Sequence, residues 1–148
     1  MRRALVIGAG GQIGTELTTR LAKELGALNV VASDLNTPKI SENIAILSLN
    51  LDVLDQVRLR QIVVDHEISE VYHLAATLSA TAEKNPGFSW HLNMQSLLNI
   101  LDLGKEGLIQ KVFWPSSVAV FGPGSPKSNT PQNAFMNPNT VYGISKSA

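Results

Sequence analysis

No cysteine occurs in the 148 residues, which excludes disulfides and thiolate metal sites and makes a cytoplasmic location the natural expectation. Histidine is scarce as well: His66, His73 and His91 show none of the spacings of metal ligands, so no metal site is expected. Neither sign of charge prevails, with 12 Lys and Arg against 12 Asp and Glu. Without a net field or a basic cluster the chain offers little to a polyanion, and nucleic acid is not expected as a partner. Long hydrophobic runs are missing too. The longest, such as Ala4 to Ile7, fall far short of the roughly 18 to 20 residues of a membrane span. Arg2 and Arg3 lead into a glycine turn and not into the longer apolar core and small-residue cleavage site of an export signal.

What is present is a periodic alternation. Short β-branched apolar runs predict strands at Arg3 to Ile7, Asn29 to Ser33, Ala45 to Leu49, Glu70 to Leu74 and Lys111 to Pro115. Between them, Ile13, Leu17, Leu21 and Leu25 recur at steps of four over Gln12 to Leu25, a stripe that one helix face can bury. Leu54 to Asp65 and Pro86 to Gly104 read as further helices, the latter carrying Trp90, Asn93, Leu97, Leu98 and Leu101. Strands alternating with helices predict an α/β fold, a doubly wound parallel sheet with helices on both faces, and the length suits a single domain over 1–148. Gly122 to Asn139, rich in proline, glycine and small polar residues, reads as a long irregular loop, and such loops are usually functional.

The first strand runs into Gly8-Ala9-Gly10-Gly11-Gln12-Ile13-Gly14, a GxxGxxG turn that opens the first helix. In a Rossmann-type fold Gly8 permits the turn, Gly11 lets backbone approach a pyrophosphate and Gly14 lets helix and strand pack closely. The helix start at Gln12 and Ile13 then turns free amides and a positive dipole end towards the phosphates. Asp34 follows the second strand, twenty residues after Gly14. A carboxylate there accepts hydrogen bonds from ribose hydroxyls and repels a 2′-phosphate, so the expected cofactor is NAD and not NADP. Asp52 and Val53, after the third strand, suit the adenine edge, with Asp52 as a plain helix N-cap the alternative.

With these features the chain resembles the extended short-chain dehydrogenases. Ser116-Ser117-Val118-Ala119-Val120-Phe121-Gly122 is similar to the Ser-Ser-x-x-Val-Tyr-Gly segment of nucleotide-sugar epimerases, with Phe121 at the tyrosine position. Tyr142-Gly143-Ile144-Ser145-Lys146 is a YxxxK, whose tyrosine and lysine share a helix face. Leu78 to Pro86, Trp114 to Pro123 and Gly11 to Leu17 resemble the epimerase-like L-threonine 3-dehydrogenases more closely. The resemblance covers essentially the whole chain but only the first half of a family member, so the C-terminal substrate domain is expected to be absent.

The resemblance implies oxidation of a secondary alcohol, L-threonine to 2-amino-3-oxobutanoate. A free phenol, with a pKa of about 10, is a poor base at neutral pH, so Lys146 beside Tyr142 is implied to favour the phenolate. Tyr142 is then the base, Lys146 also holds the nicotinamide ribose, and Ser117 bonds the substrate oxygen. Leu74, Ala75, Ala76 and Asn93 are implied cofactor contacts, although Asn93 suits an internally bonded core position equally. Ser79 and Thr81 are implied substrate contacts, with a helix-capping cluster as their alternative. The resemblance also implies a homodimer or another self-association. A nucleotide-sugar epimerase or dehydratase and a catalytically inactive NAD-binding fragment remain as competing readings.

Overall fold

A computed structural model describes residues 1–40, 43–77 and 79–148, with the backbone alone at 79 and 80. The chain groups into two compact units, Met1–Ala75 with Ser96–Trp114, and Ala76–Gln95 with Pro115–Ala148.

The first unit holds a parallel five-stranded sheet of β1 (Ala4–Ile7), β2 (Val30–Asp34), β3 (Leu47–Asn50), β4 (Glu70–His73) and β5 (Lys111–Phe113). Its order is β3-β2-β1-β4-β5. Winding proceeds outward from β1 to β3 and then returns to the other side at β4, so the order reverses between β1 and β4. That reversal opens the crevice in which doubly wound sheets bind ligands. β1 is buried along its whole length, which is why it reads as a continuous Ala-Leu-Val-Ile run without alternation. The edge strand β3 is only partly buried. β5 stops at Phe113, short of the expected end at Pro115, a residue with no amide to give a ladder.

Helix α1 (Gln12–Leu25) packs Leu21 and Ala22, with Leu17 and Leu25 partly buried, on Ala4, Val6, Val30 and Ala32. Ile13, expected in that stripe, is 70% exposed. Gly14 is responsible: its close approach to the end of β1 turns the glycine inward and Ile13 outward. Helix α2 spans Gln56–Asp65 and begins two residues later than expected. Asp55 is its N-cap, accepting from the Arg58 amide at 2.9 Å, whereas Asp52 accepts from the Leu54 amide in the preceding turn. The capping alternative for Asp52 is thus corrected, since only Asp55 stands next to the first helical residue. Among the described residues no helix is long and apolar enough to cross a membrane.

The second unit contains the short helix α3 (Ser79–Lys84), the first half of α4 (Pro86–Lys105), a 3₁₀ turn at Val118–Val120 and α5 (Val141–Ser147). The stretch between the last two folds back on itself. A Cβ on Gly122 would overlap the Asn137 carbonyl, and the Ser125 hydroxyl donates to the Phe135 carbonyl at 2.8 Å.

Candidate functional site

In the first unit the glycine turn is built as its spacing requires. Gly8 has φ 85°, and a Cβ there would stand 2.7 Å from the Ala75 amide nitrogen, so only glycine lets the two strand ends meet at the crevice. A Cβ on Gly14 would overlap the Gly8 carbonyl oxygen. At Gly11 the nearest atom to such a Cβ is the Gly8 oxygen at 3.5 Å, so that side of the turn is open. Gly11 caps α1 without any side-chain hydrogen bond, and no acidic residue occupies the first turn. Among the described residues, no acidic side chain of the helix's own first turn competes for the amides of Gln12 and Ile13. An open backbone cradle at an uncapped helix start fits a pyrophosphate.

Asp34 closes the turn from the side. Its Oδ2 accepts from the Gly10 amide at 2.9 Å and its Oδ1 from its neighbour Leu35 at 2.8 Å. A carboxylate has roughly four acceptor positions, and among the described residues these two amides take two of them. Asp52 is exposed and Val53 buried, the Val53 carbonyl accepting from Asn99 Nδ2 at 3.2 Å. Leu74 and Ala75 follow β4, where the Leu74 amide donates to the Ile7 carbonyl at 2.8 Å. Gly8, Gly11, Gly14, Asp34 and Ala75 thus gather at one end of β1.

The second unit brings the other candidates together. Ser117 caps the 3₁₀ turn, its hydroxyl accepting from the Ala119 amide at 3.2 Å. A Cβ on Gly143 would overlap the Ala119 carbonyl oxygen, so the helix bearing Tyr142 and Lys146 lies directly on the turn that Ser117 begins. The four-residue spacing acts as expected, and Lys146 Nζ lies 6.0 Å from the centre of the Tyr142 ring. Thr140 is the N-cap of α5, accepting from the Gly143 amide at 3.0 Å, and Glu83 accepts from the Val141 amide at 2.8 Å. Ser117 also lines a cavity of about 590 Å³ with Ser116, Val118, Phe121, Gln132 and Met136 among its walls. Among the described residues no charged side chain lines that cavity.

Asn93 is 1% exposed. Its Oδ1 accepts from the Thr77 amide at 3.1 Å and its Nδ2 donates to Ser145 Oγ at 3.0 Å, which in turn donates to the Tyr142 carbonyl at 2.8 Å. This is the internally bonded arrangement, and it ties the segment after β4, where Ala76 is half-buried, to the YxxxK helix. Thr81 is exposed on α3, and the side chain of Ser79 lies outside the described residues, as does Leu78. Glu83 and Ser145 carried no signal in the sequence beyond their place in the motif segments. Thr140 carried one, a hydroxyl residue just before a helical run.

Burial pushes the Lys146 ammonium down from 10.5 to about 8. Between those values the unfolded chain binds more protons than the folded one, so the penalty of burying the charge is complete below about pH 8 and is relieved towards pH 10.5. Denaturant unfolding is expected to show a rise in stability of up to about 3 kcal/mol across that interval, at about 1.4 kcal/mol per unit. Lys146→Met is expected to remove the rise. Equal pH dependence in the two proteins would show that Lys146 is solvated.

The family model for the NAD dependent epimerase/dehydratase family matches residues 4–148. An uncharacterised epimerase/dehydratase of Staphylococcus saprophyticus is 42% identical over 100% of this chain and 46% of its own. Among solved structures, a partial consensus L-threonine 3-dehydrogenase is 48% identical with a TM-score of 0.88, over 97% of this chain and 46% of that one. A GalE-like L-threonine dehydrogenase from Cupriavidus necator, in its holo form, is 46% identical with a TM-score of 0.89 over the same shares. A UDP-glucose 4-epimerase is also similar in structure, at 26% identity and a TM-score of 0.84, over 99% of this chain and 44% of that one. The chain spans just under half the length of these relatives.

Proposed function

The chain belongs to the NAD-dependent epimerase/dehydratase family, and from that premise we propose that it provides the NAD site and the proton-transfer residues for oxidation of L-threonine to 2-amino-3-oxobutanoate. The carrying observation is the contact of α5 with the Ser117 turn through Gly143 and Ala119, with Lys146 buried on the tyrosine's side of the helix. Threonine is favoured over a nucleotide sugar by the identity of 46% and 48% to threonine dehydrogenases against 26% to the epimerase. Phe121, in the place of the epimerase tyrosine, points the same way.

NAD, when bound, supplies the hydride acceptor. The glycine turn would hold its pyrophosphate with the amides at the start of α1, and Asp34, already fixed by Gly10, would accept from the adenosine ribose. Asp52 and the Val53 amide would hold the adenine edge, and Leu74, Ala75 and Ala76 would contact the cofactor. Tyr142, as its phenolate, would take the proton of the threonine hydroxyl, and the Ser117 hydroxyl would donate to the substrate oxygen as the carbonyl forms. Lys146 would supply positive charge beside the tyrosine and hydrogen bonds to the ribose. Ser79 and Thr81 contact the amino and carboxylate groups of threonine in this scheme.

The test is NADH formation from L-threonine and NAD, followed at the nicotinamide absorbance. Turnover of UDP-sugars without threonine oxidation would select the epimerase reading, and NAD binding without turnover of either would select the inactive fragment. Self-association is part of the same proposal. Leu98 and Leu101 on α4 are 49% and 45% exposed, and clustered exposed leucines seek a partner. Light scattering is expected to give a mass above that of one chain, and Leu98→Glu with Leu101→Glu to return it to one. An unchanged mass in that variant would place the contact elsewhere.

A further inference from the structure

We propose that Glu83 is a positioning residue for the Tyr142–Lys146 pair, its carboxylate holding the Val141 amide and with it the first turn of α5. The inference rests on the proposed role of Tyr142 and adds a residue that has no part in the chemistry itself. The first amides of a helix have no partner within it. Here they are taken by different groups: Thr140 takes that of Gly143, while Glu83, fifty-eight positions back in the chain, takes that of Val141 at 2.8 Å. A hydrogen bond to an ionised carboxylate is about twice as strong as a neutral one.

The contact lies one residue before Tyr142. Farther along, Ser145 is fully buried and joins the Tyr142 carbonyl to Asn93. The helix is thus held at its first amide and again within its second turn, and both contacts bear on the backbone that carries the tyrosine. Releasing the first leaves α5 free to lift from the Ser117 turn, which exposes Lys146. Glu83 itself is exposed, so replacing it strands no buried polar group and leaves the fold intact.

The test reads Lys146 and needs no substrate. The side-chain nitrogen of Lys146, identified by its loss in Lys146→Met, is titrated by NMR in this 148-residue chain. The parent midpoint is expected near 8. Glu83→Gln keeps an acceptor at the same reach without the charge and is expected to leave the midpoint in place. Glu83→Ala and Glu83→Asp, which keeps the charge but withdraws it, are expected to raise the midpoint by about one pH unit or more, towards 10.5. A parent-like midpoint in Glu83→Ala and Glu83→Asp overturns the proposal. So does a rise in Glu83→Gln as large as in Glu83→Ala, because an acceptor at the same reach would then not hold the helix, and losing a charge alone would lower the midpoint. Where turnover is measured, Glu83→Ala should lower kcat at unchanged KM, with Glu83→Gln restoring it. Absence of threonine oxidation, or retained turnover in Tyr142→Phe, overturns the proposed function and leaves the NMR result standing.

Discussion

Asp34→Asn is expected to bring NAD and NADP affinities to within about tenfold of each other, from a preference for NAD of about a hundredfold or more in the parent chain. The magnitude follows from the cost of a carboxylate against a 2′-phosphate, several kcal/mol when the two are forced together, with each 1.4 kcal/mol worth about tenfold. The choice of asparagine matters because Asp34 has a second task, accepting from the Gly10 amide at 2.9 Å. Asparagine keeps an acceptor for that amide, so NAD affinity should fall little while NADP affinity rises. Asp34→Ala loses the acceptor as well, which frees the middle of the glycine turn, and it should weaken both cofactors. Calorimetry with NAD and NADP on the three proteins separates the two tasks. Equal affinities in the parent, or a preference that survives in Asp34→Asn, would remove the carboxylate from cofactor selection.

Tyr142→Phe is expected to lower threonine-dependent NADH formation by about 10²- to 10⁴-fold, the range typical for loss of a positioned acid or base. NAD affinity should stay within about twofold, because the phenol oxygen serves the reacting hydroxyl. The backbone carbonyl that Ser145 uses is unchanged in this variant, so the helix keeps its hold on Asn93. Ser117→Ala is the companion measurement. Its hydroxyl also caps the 3₁₀ turn by accepting from Ala119, so the substitution should lower both turnover and the stability of that turn, whereas Tyr142→Phe should leave stability alone. Retained turnover in Tyr142→Phe would show that another group takes the proton.

How much of this was legible beforehand depends on the range of the interaction concerned. Helix α1 has the bounds that its periodicity predicts, and the five strands fall where β-branched runs stand, shifted by a residue or two. Those features are written in neighbouring residues, since period, turn chemistry and capping act over a few positions. The inward face of the first turn was not, because Ile13 and Gly14 compete for it and the close approach to the Gly8 carbonyl decides. The cap of α2 went to Asp55 instead of Asp52, a choice between two aspartates three residues apart that depends on where the loop leaves β3.

The sequence by itself determined the glycine turn, the acidic end of β2 and the shared helix face of Tyr142 and Lys146, because each is a matter of residue type at fixed local spacing. Only the tertiary structure decided what becomes of those groups. It placed the Gly10 amide on Asp34, closed Asn93 onto Thr77 and Ser145, brought Glu83 to the start of α5 and buried Lys146 deeply enough to lower its proton affinity. These partners are separated by between 16 and 58 positions in the chain, and no pattern of neighbouring residues encodes a contact that exists only once the intervening elements have packed.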